Sequence, residues 1–360
     1  GAALSLFVTP LAGALSDRSR SRFGRRRPFM LVGTAINVAF LLMLAPFGPG
    51  GVLAAFLIIY LGVQVGSNWA GGPYAGLIPD LVPENQRGLA SGWLALMTAV
   101  GTLIGALAAG QMVRPGHYAG FYGLVAASLA AALALTLLGV RERPAQPAAV
   151  ASWRVWLREF LPDRTEHRDF YWVLATRALV TMGIYSVFTF FQFFLKDLIG
   201  VAKPEEQSSF LVGIIIAAGI PTSLVAGSLS DRWGRKPLVY ISGGLMALAS
   251  LVFIAVAFAP SLPFVYAVGA AFGIGYGAYQ AVDWALAVDV LPGGEDAAKD
   301  MGIWHVALVL PQVLAPVLTG LTLTALKGIS LITAYGVVFV MTAAWFVLGT
   351  VFVSKIRKVR

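Results

Sequence analysis

Apolar residues run through this chain in stretches of roughly 20, separated by short charged breaks, without the strict alternation that a half-buried strand shows. As a helix rising 1.5 Å per residue, such a stretch crosses the roughly 30 Å hydrocarbon core of a bilayer. Eleven spans follow: 1–16, 29–47, 52–79, 89–113, 118–139, 170–195, 208–230, 237–257, 263–290, 301–325 and 330–353. A membrane β-barrel would instead need strands of about 10 residues with a polar inner face. The expected class is an all-α polytopic membrane protein.

Composition removes the soluble classes. Of 360 residues 58% are apolar and 12% charged, where soluble domains carry about a quarter charged. The formal charge of +9 would suit a nucleic-acid binder, but the basic residues sit in the breaks between spans, where membrane topology is the simpler cause. No nucleic-acid partner is expected. The breaks at 17–28, 80–88, 140–169, 231–236 and 291–300 and the tail from 354 hold 21 Lys and Arg, against Arg114, Lys196, Lys203 and Lys327 on the other side. Arg177 is left inside a span. The positive-inside rule then makes the rich side cytoplasmic, with the C-terminus and 140–169 on it. Arg outnumbers Lys by 19 to 7, which suits a GC-rich bacterial source, and with the apolar spans the expected location is the bacterial inner membrane.

There is no cysteine, and His117 and His167 fall on opposite sides, so neither a disulfide nor a metal site is expected, and no resident cofactor. Gly1 opens the chain inside an apolar run without an initiator Met, which predicts further sequence ahead of it. The longest break, 140–169, carries Pro144 and Pro147 and then Trp153, Trp156, Leu157, Phe160 and Leu161 at i, i+3, i+4, i+7 and i+8. That pattern predicts a short amphipathic helix on the membrane surface, joining a bundle over 1–139 to one over 170–360.

The two bundles repeat each other. Gly13-Ala-Leu-Ser-Asp17-Arg18, continuing after an insert as Gly24-Arg25-Arg26, matches Gly227-Ser-Leu-Ser-Asp231-Arg232-Trp-Gly234-Arg235-Lys236. Asp80-Leu-Val-Pro83 answers Asp289-Val-Leu-Pro292 at 209 residues, and Gly92 answers Gly302 at 210. Independent matches at one spacing mark a duplication.

This loop, once per half, resembles the signature of the major facilitator superfamily, which implies parallel halves of six helices each. Asp231 lies about 60 residues into its half, so some 45 residues, helix 1 and part of helix 2, are expected before Gly1, with the visible spans corresponding to helices 2 to 12. The arginine-rich loop from Asp17 to Pro28 and the stretch Pro73–Gly88 resemble, more finely, the glycoside-pentoside-hexuronide cation symporters and the sucrose-transporter-like branch. In that family the loop acts as a cytoplasmic gate, nominating Asp17, Arg18, Gly24, Arg25, Asp231, Arg232, Gly234 and Arg235. Asp17 ends a span, where a negative charge opposes the helix dipole, so it needs another helix start or an arginine to compensate it. Arg87 and Lys299, near the starts of two spans, are the candidates.

Charges within the apolar runs are few, and a charge at mid-bilayer costs roughly 2.5–3.5 kcal/mol unless it faces a cavity or a partner. Arg177 on an ascending span and Asp283 on a descending one reach similar depth, and His305 begins another. Arg177, Thr181, Tyr185, Phe188 and Gln192 share one helix face, as do Tyr276, Tyr279, Gln280 and Asp283, and the span 52–79 adds Gln64, Asn68 and Trp69. The resemblance implies that these helices line a central cavity. The expectation is a sugar site of amides, hydroxyls and aromatic rings, with Trp284 as another candidate ring. Asp283 paired with Arg177 is the expected proton-coupling carboxylate, assisted by His305. Sodium coupling stays open, although it normally needs more oxygen charge than one visible carboxylate.

The expected function is alternating-access symport of a sugar or glycoside with protons, by a monomer in contact with lipid. Export of drugs or metabolites is the alternative. Proton-linked exporters of this superfamily carry a Gly-Pro pair where this chain has Gly105-Ala106. No Walker-type loop is present, and Gly273-Ile-Gly275-Tyr-Gly277 sits mid-span without a preceding strand, so an enzyme is not expected.

Overall fold

The computed structural model describes residues 2–44, 53–113, 118–142, 161–256, 258, 260–292 and 296–359. They form α1 (Ala2–Asp17), α2 (Arg27–Leu44), α3 (Leu53–Ala75), α4 (Leu77–Leu81), α5 (Arg87–Met112), α6 (Ala119–Gly139), α7 (Arg168–Phe194), α8 (Pro204–Trp233), α9 (Arg235–Val256), α10 (Leu262–Asp289), α11 (Ala297–Leu326) and α12 (Leu331–Phe352). No strand occurs among the described residues. Among the described residues ten helices are long and apolar enough to cross a membrane, and Leu4–Asp17 is a shorter apolar one. The amphipathic helix expected in the linker falls on residues outside the described ones.

Each expected span lies on a helix, but several helices start before their apolar run. α5 begins at Arg87 rather than 89, α8 at Pro204 rather than 208, and α11 at Ala297 rather than 301. Hydropathy cannot register a polar first turn, whereas helix-start chemistry holds it: α8 opens on Pro204 with Glu205 and Glu206 facing the positive end of its dipole. The span 52–79 is divided near Pro73 and Gly76 into α3 and α4.

The chain sorts into two compact units: Gly1–Val82 with Ile104–Glu166 and Leu291–Val306, and Pro83–Leu103 with His167–Val290 and Ala307–Arg360. In the first, α3 packs against α1 and α2, and α2 against α6. The second repeats this with α10 against α8 and α9, and α9 against α12, so the sequence duplication is also a duplication of packing. Its core is aromatic: Phe194 meets Phe339 edge-on at 5.1 Å, and Phe253 stacks on Phe339 at 5.5 Å. α7 adds a pairing with α12. In the first unit the corresponding faces of α2, α3 and α6 border a crevice of about 200 Å³, lined in part by Thr34, Asn37, Ser67 and Tyr74. Met246 and Asp283, which stand 209 residues after Asn37 and Tyr74, are buried.

Candidate functional site

Asp17 is the last residue of α1, at the negative end of its own helix. The first amides of α11, which have no intrahelical acceptor, compensate it. Asp17 Oδ1 accepts from Ala298 N at 3.2 Å and Oδ2 from Lys299 N at 2.8 Å, so a carboxylate from one helix caps another. Arg26 Nη1 also binds Asp17, and donates to Ser16 Oγ at 2.8 Å. Arg26 Nε reaches Asp80 Oδ2 at 3.0 Å, and Arg25 Nη2 takes Asp80 Oδ1 at 2.6 Å. Glu142 accepts from Arg26 N at 2.8 Å and Arg27 N at 3.0 Å, fixing the entry to α2.

The second unit builds the same circuit. Asp231, in the last turn of α8, accepts from Gly88 N and Leu89 N at the start of α5, each at 2.9 Å. Arg235 Nη1 donates to Asp231 at 2.7 Å and to Ser230 Oγ at 2.6 Å, and its Nε donates to Asp289 at 2.9 Å. Arg87 Nη1 takes the other oxygen of Asp289 at 3.2 Å. Gly24 and Gly234 stand at φ of 104° and 94°, where a side chain would strain the turn.

The nominated gate residues therefore divide by role. The sequence match sets Arg25 against Arg235, yet Arg26 makes the bonds that Arg235 makes. Asp17 and Asp231 are 214 residues apart and Arg26 and Arg235 only 209, so the first loop carries five extra residues and its register shifts. Lys299 reaches Asp17 through its amide, while its ammonium lies 2.6 Å from Asp296. Arg87 supports Asp289 rather than Asp231. Arg232 is exposed and Arg18 half-buried.

The second cluster joins α7 to α10. Arg177 and Asp283 form an ion pair, 5% and 1% exposed, and Tyr279 Oη donates to Asp283 Oδ1 at 3.0 Å. Removing one partner of such a buried pair costs about 3–5 kcal/mol, because the other charge stays behind. One turn along α10, Gln280 Nε2 donates to Tyr276 Oη at 3.4 Å, and the Tyr276 ring meets Phe188 edge-on at 5.6 Å. Thr181 is buried on α7, and Tyr185 Oη accepts from Gln312 Nε2 at 2.6 Å. Trp284 is half-buried.

Gln312 is absent from the sequence-based set, as are Ser186 and Thr319, whose hydroxyls lie 3.0 Å apart. An amide between Pro311 and an apolar run was a usable signal. Gln192 bonds Glu205 at 3.1 Å, roughly 22 Å along α7 from Arg177, and stays apart from the cluster. In the first unit, Thr9 donates to Asn68 at 3.0 Å, Asn68 to the Gln64 carbonyl at 2.7 Å, and Gln64 to Tyr60 at 2.9 Å. Trp69 stacks on Phe29 at 6.0 Å, and His305 belongs to the same unit as Asp17. Among the described residues no three His, Asp or Glu side chains gather as metal ligands.

The family model described as Major Facilitator Superfamily matches residues 1–298 and 205–360. The chain is 26% identical to Sucrose transport protein SUC4 of Arabidopsis thaliana, over 88% of this chain and 74% of that protein. It is 24% identical to the Multi-drug resistance efflux pump PmrA homolog of Lactococcus lactis, over 71% of this chain and 60% of that protein. In fold it resembles the E. coli fucose:proton symporter FucP, with a TM-score of 0.73 at 10% identity, over 98% of this chain and 87% of that one.

Proposed function

The chain belongs to the Major Facilitator Superfamily, whose members are integral membrane transporters and not enzymes, and on that premise we propose that it takes up a sugar or glycoside together with protons by alternating access. The observation that carries this reading is the buried set Arg177, Asp283 and Tyr279, beside the uncharged donors and acceptors Tyr276, Gln280, Tyr185 and Gln312. Amides and phenols of this kind exchange hydrogen bonds with sugar hydroxyls, and the Tyr276 and Phe188 rings can cover apolar sugar faces. Asp283 alternates between two ways of being neutralised, the Arg177 guanidinium and a proton. Loading the proton frees Arg177 to take a substrate oxygen, and releasing it restores the pair, so proton and substrate move together.

The sucrose-transporter likeness and the symporter fold support this assignment. The Arg-rich side faces the cytoplasm of a bacterial cell in this reading, and the two caps are the contacts that hold the cytoplasmic gate. Sodium in place of protons is the variant to exclude. The efflux-pump likeness favours a second reading, proton-linked export, against which Ala106 stands where exporters carry proline.

Uptake of labelled sucrose, maltose and related glycosides into proteoliposomes under a proton gradient, a sodium gradient or neither decides among these. Proton-driven accumulation of any of them is the expected result, and absence of uptake by folded protein under all three conditions rejects it. Asp283→Asn should abolish accumulation while leaving counterflow exchange; uphill uptake by that variant rejects the assignment of Asp283.

A further inference from the structure

Asp296 just ahead of α11 and Lys299 and Asp300 in its first turn lie together, and their charges do not balance. Lys299 Nζ lies 2.6 Å from Asp296 Oδ2 but 3.8 Å from Asp300 Oδ1. Asp300 is 1% exposed, and its Oδ1 has no hydrogen-bond partner among the described residues. A carboxylate oxygen shut off from water and without a hydrogen-bond donor makes the charged form costly to keep. The charged groups around it are Lys299 on its own helix, Asp296 just ahead of that helix, and Asp17 from α1, which Arg26 backs. Asp17 is also the cap of this helix. Two carboxylates thus share one helix start, and like charge on Asp300 weakens the hold of Asp17 on Ala298 and Lys299. Burial leaves little salt or water between them to screen that repulsion.

We propose that Asp300 is a second proton-binding site, separate from Asp283, which tightens the Asp17 cap when it takes a proton from the Arg-rich side and loosens the cap when it returns it. Its physiological meaning rests on the transporter reading. Acid in the cytoplasm then holds α11 against α1 and slows an importer that brings protons in, so the site acts as a brake.

The test needs no substrate, so it stands or falls apart from the transport assignment. The chain has no cysteine, and a single thiol can be placed at the cap by Ala298→Cys or in an exposed loop by Phe23→Cys. The measurement is the alkylation rate at position 298 divided by that at position 23, in the full chain in nanodiscs, from about pH 5.5 to about pH 8, which cancels most of the intrinsic thiol titration. With Asp300 present the ratio should rise several-fold with pH. With Asp300→Asn it should stay low and flat, and with Asp300→Glu the rise should return. The same rise in the Asn variant, or a flat ratio with Asp300 present, overturns the proposal. If the Asn variant does not fold, Asp300→Ser supplies the neutral side chain, and the flat-ratio criterion on the unsubstituted Asp300 chain applies unchanged.

Discussion

The carboxylate that caps α11 and the one that caps α5 share a serine, an arginine and a second aspartate, but the last partner differs. At Asp80 it is Arg25, a neighbour of Arg26 in the same loop; at Asp289 it is Arg87, the first residue of the capped helix. The start of α5 is therefore held twice, by its amides and by its own guanidinium. α11 has Ala297 where α5 has Arg87 and is held through its amides. Burial differs in step. The side chains of Asp17 and Arg26 are 0% exposed, against 11% and 6% for Asp231 and Arg235. A duplicated motif has thus settled into two regimes: a dry cap whose second arginine sits in the loop, and a wetter one whose second arginine belongs to the capped helix.

The largest effect should come from removing the central arginines. Arg26→Met leaves Asp17 facing bare amides in a dry site and should cost about 3–5 kcal/mol. Arg235→Met should cost about 2 kcal/mol less, because Asp231 is part-exposed and water can stand in for the lost cation, while Asp80 and Asp289 each keep their second arginine. Thermal unfolding in detergent, followed by tryptophan fluorescence, measures both. Equal losses would remove the distinction between dry and wet caps.

A smaller effect resolves the caps individually. Asp17→Asn and Asp231→Asn keep one accepting oxygen and lose the charge, for about 1–2 kcal/mol each. By hydrogen exchange, Asp17→Asn should speed the amides of Ala298 and Lys299 by roughly tenfold and leave those of Gly88 and Leu89 alone, with the reverse for Asp231→Asn. A change at both starts from either substitution would show that the caps do not act separately.

Which parts of this were legible in the sequence follows from which residues carry a local signal. The apolar runs gave the spans, because membrane length is a strong filter. Asp17, Asp231 and the pair of Arg177 and Asp283 were legible because a charge at a helix end or inside an apolar run demands a partner, and helix rise fixes its depth. The choice between Arg25 and Arg26 was not, since five extra loop residues hide the register. That a helix start would compensate Asp17 was legible, but not that the amides of Ala298 and Gly88 would do so, residues with no polar side chain to draw attention. Asp300 reads in sequence as one more acid at a helix start, and only its burial beside Asp17 sets it apart. Gln192 followed the helix face faithfully and still lies apart from the cluster, because a face runs the whole length of α7.

The finest test concerns Arg87 itself. Its pair with Asp289 is part-exposed, 16% and 18% at the side chains, so its share is about 0.5–1 kcal/mol. Arg87→Ala should raise exchange at Gly88 and Leu89 by only a few-fold. Because the pair reaches water, that increment should vanish near 1 M salt, where the Debye length falls to about 3 Å. The Asp17 cap, being dry, should change little over the same range. If Arg87→Ala is silent at low salt, a second arginine on the capped helix does not strengthen the α5 cap, and the two regimes differ by burial alone. If salt instead loosens the Asp17 cap as much as the Asp231 cap, water reaches both, and the contrast drawn from exposure fails where it is most exposed to test.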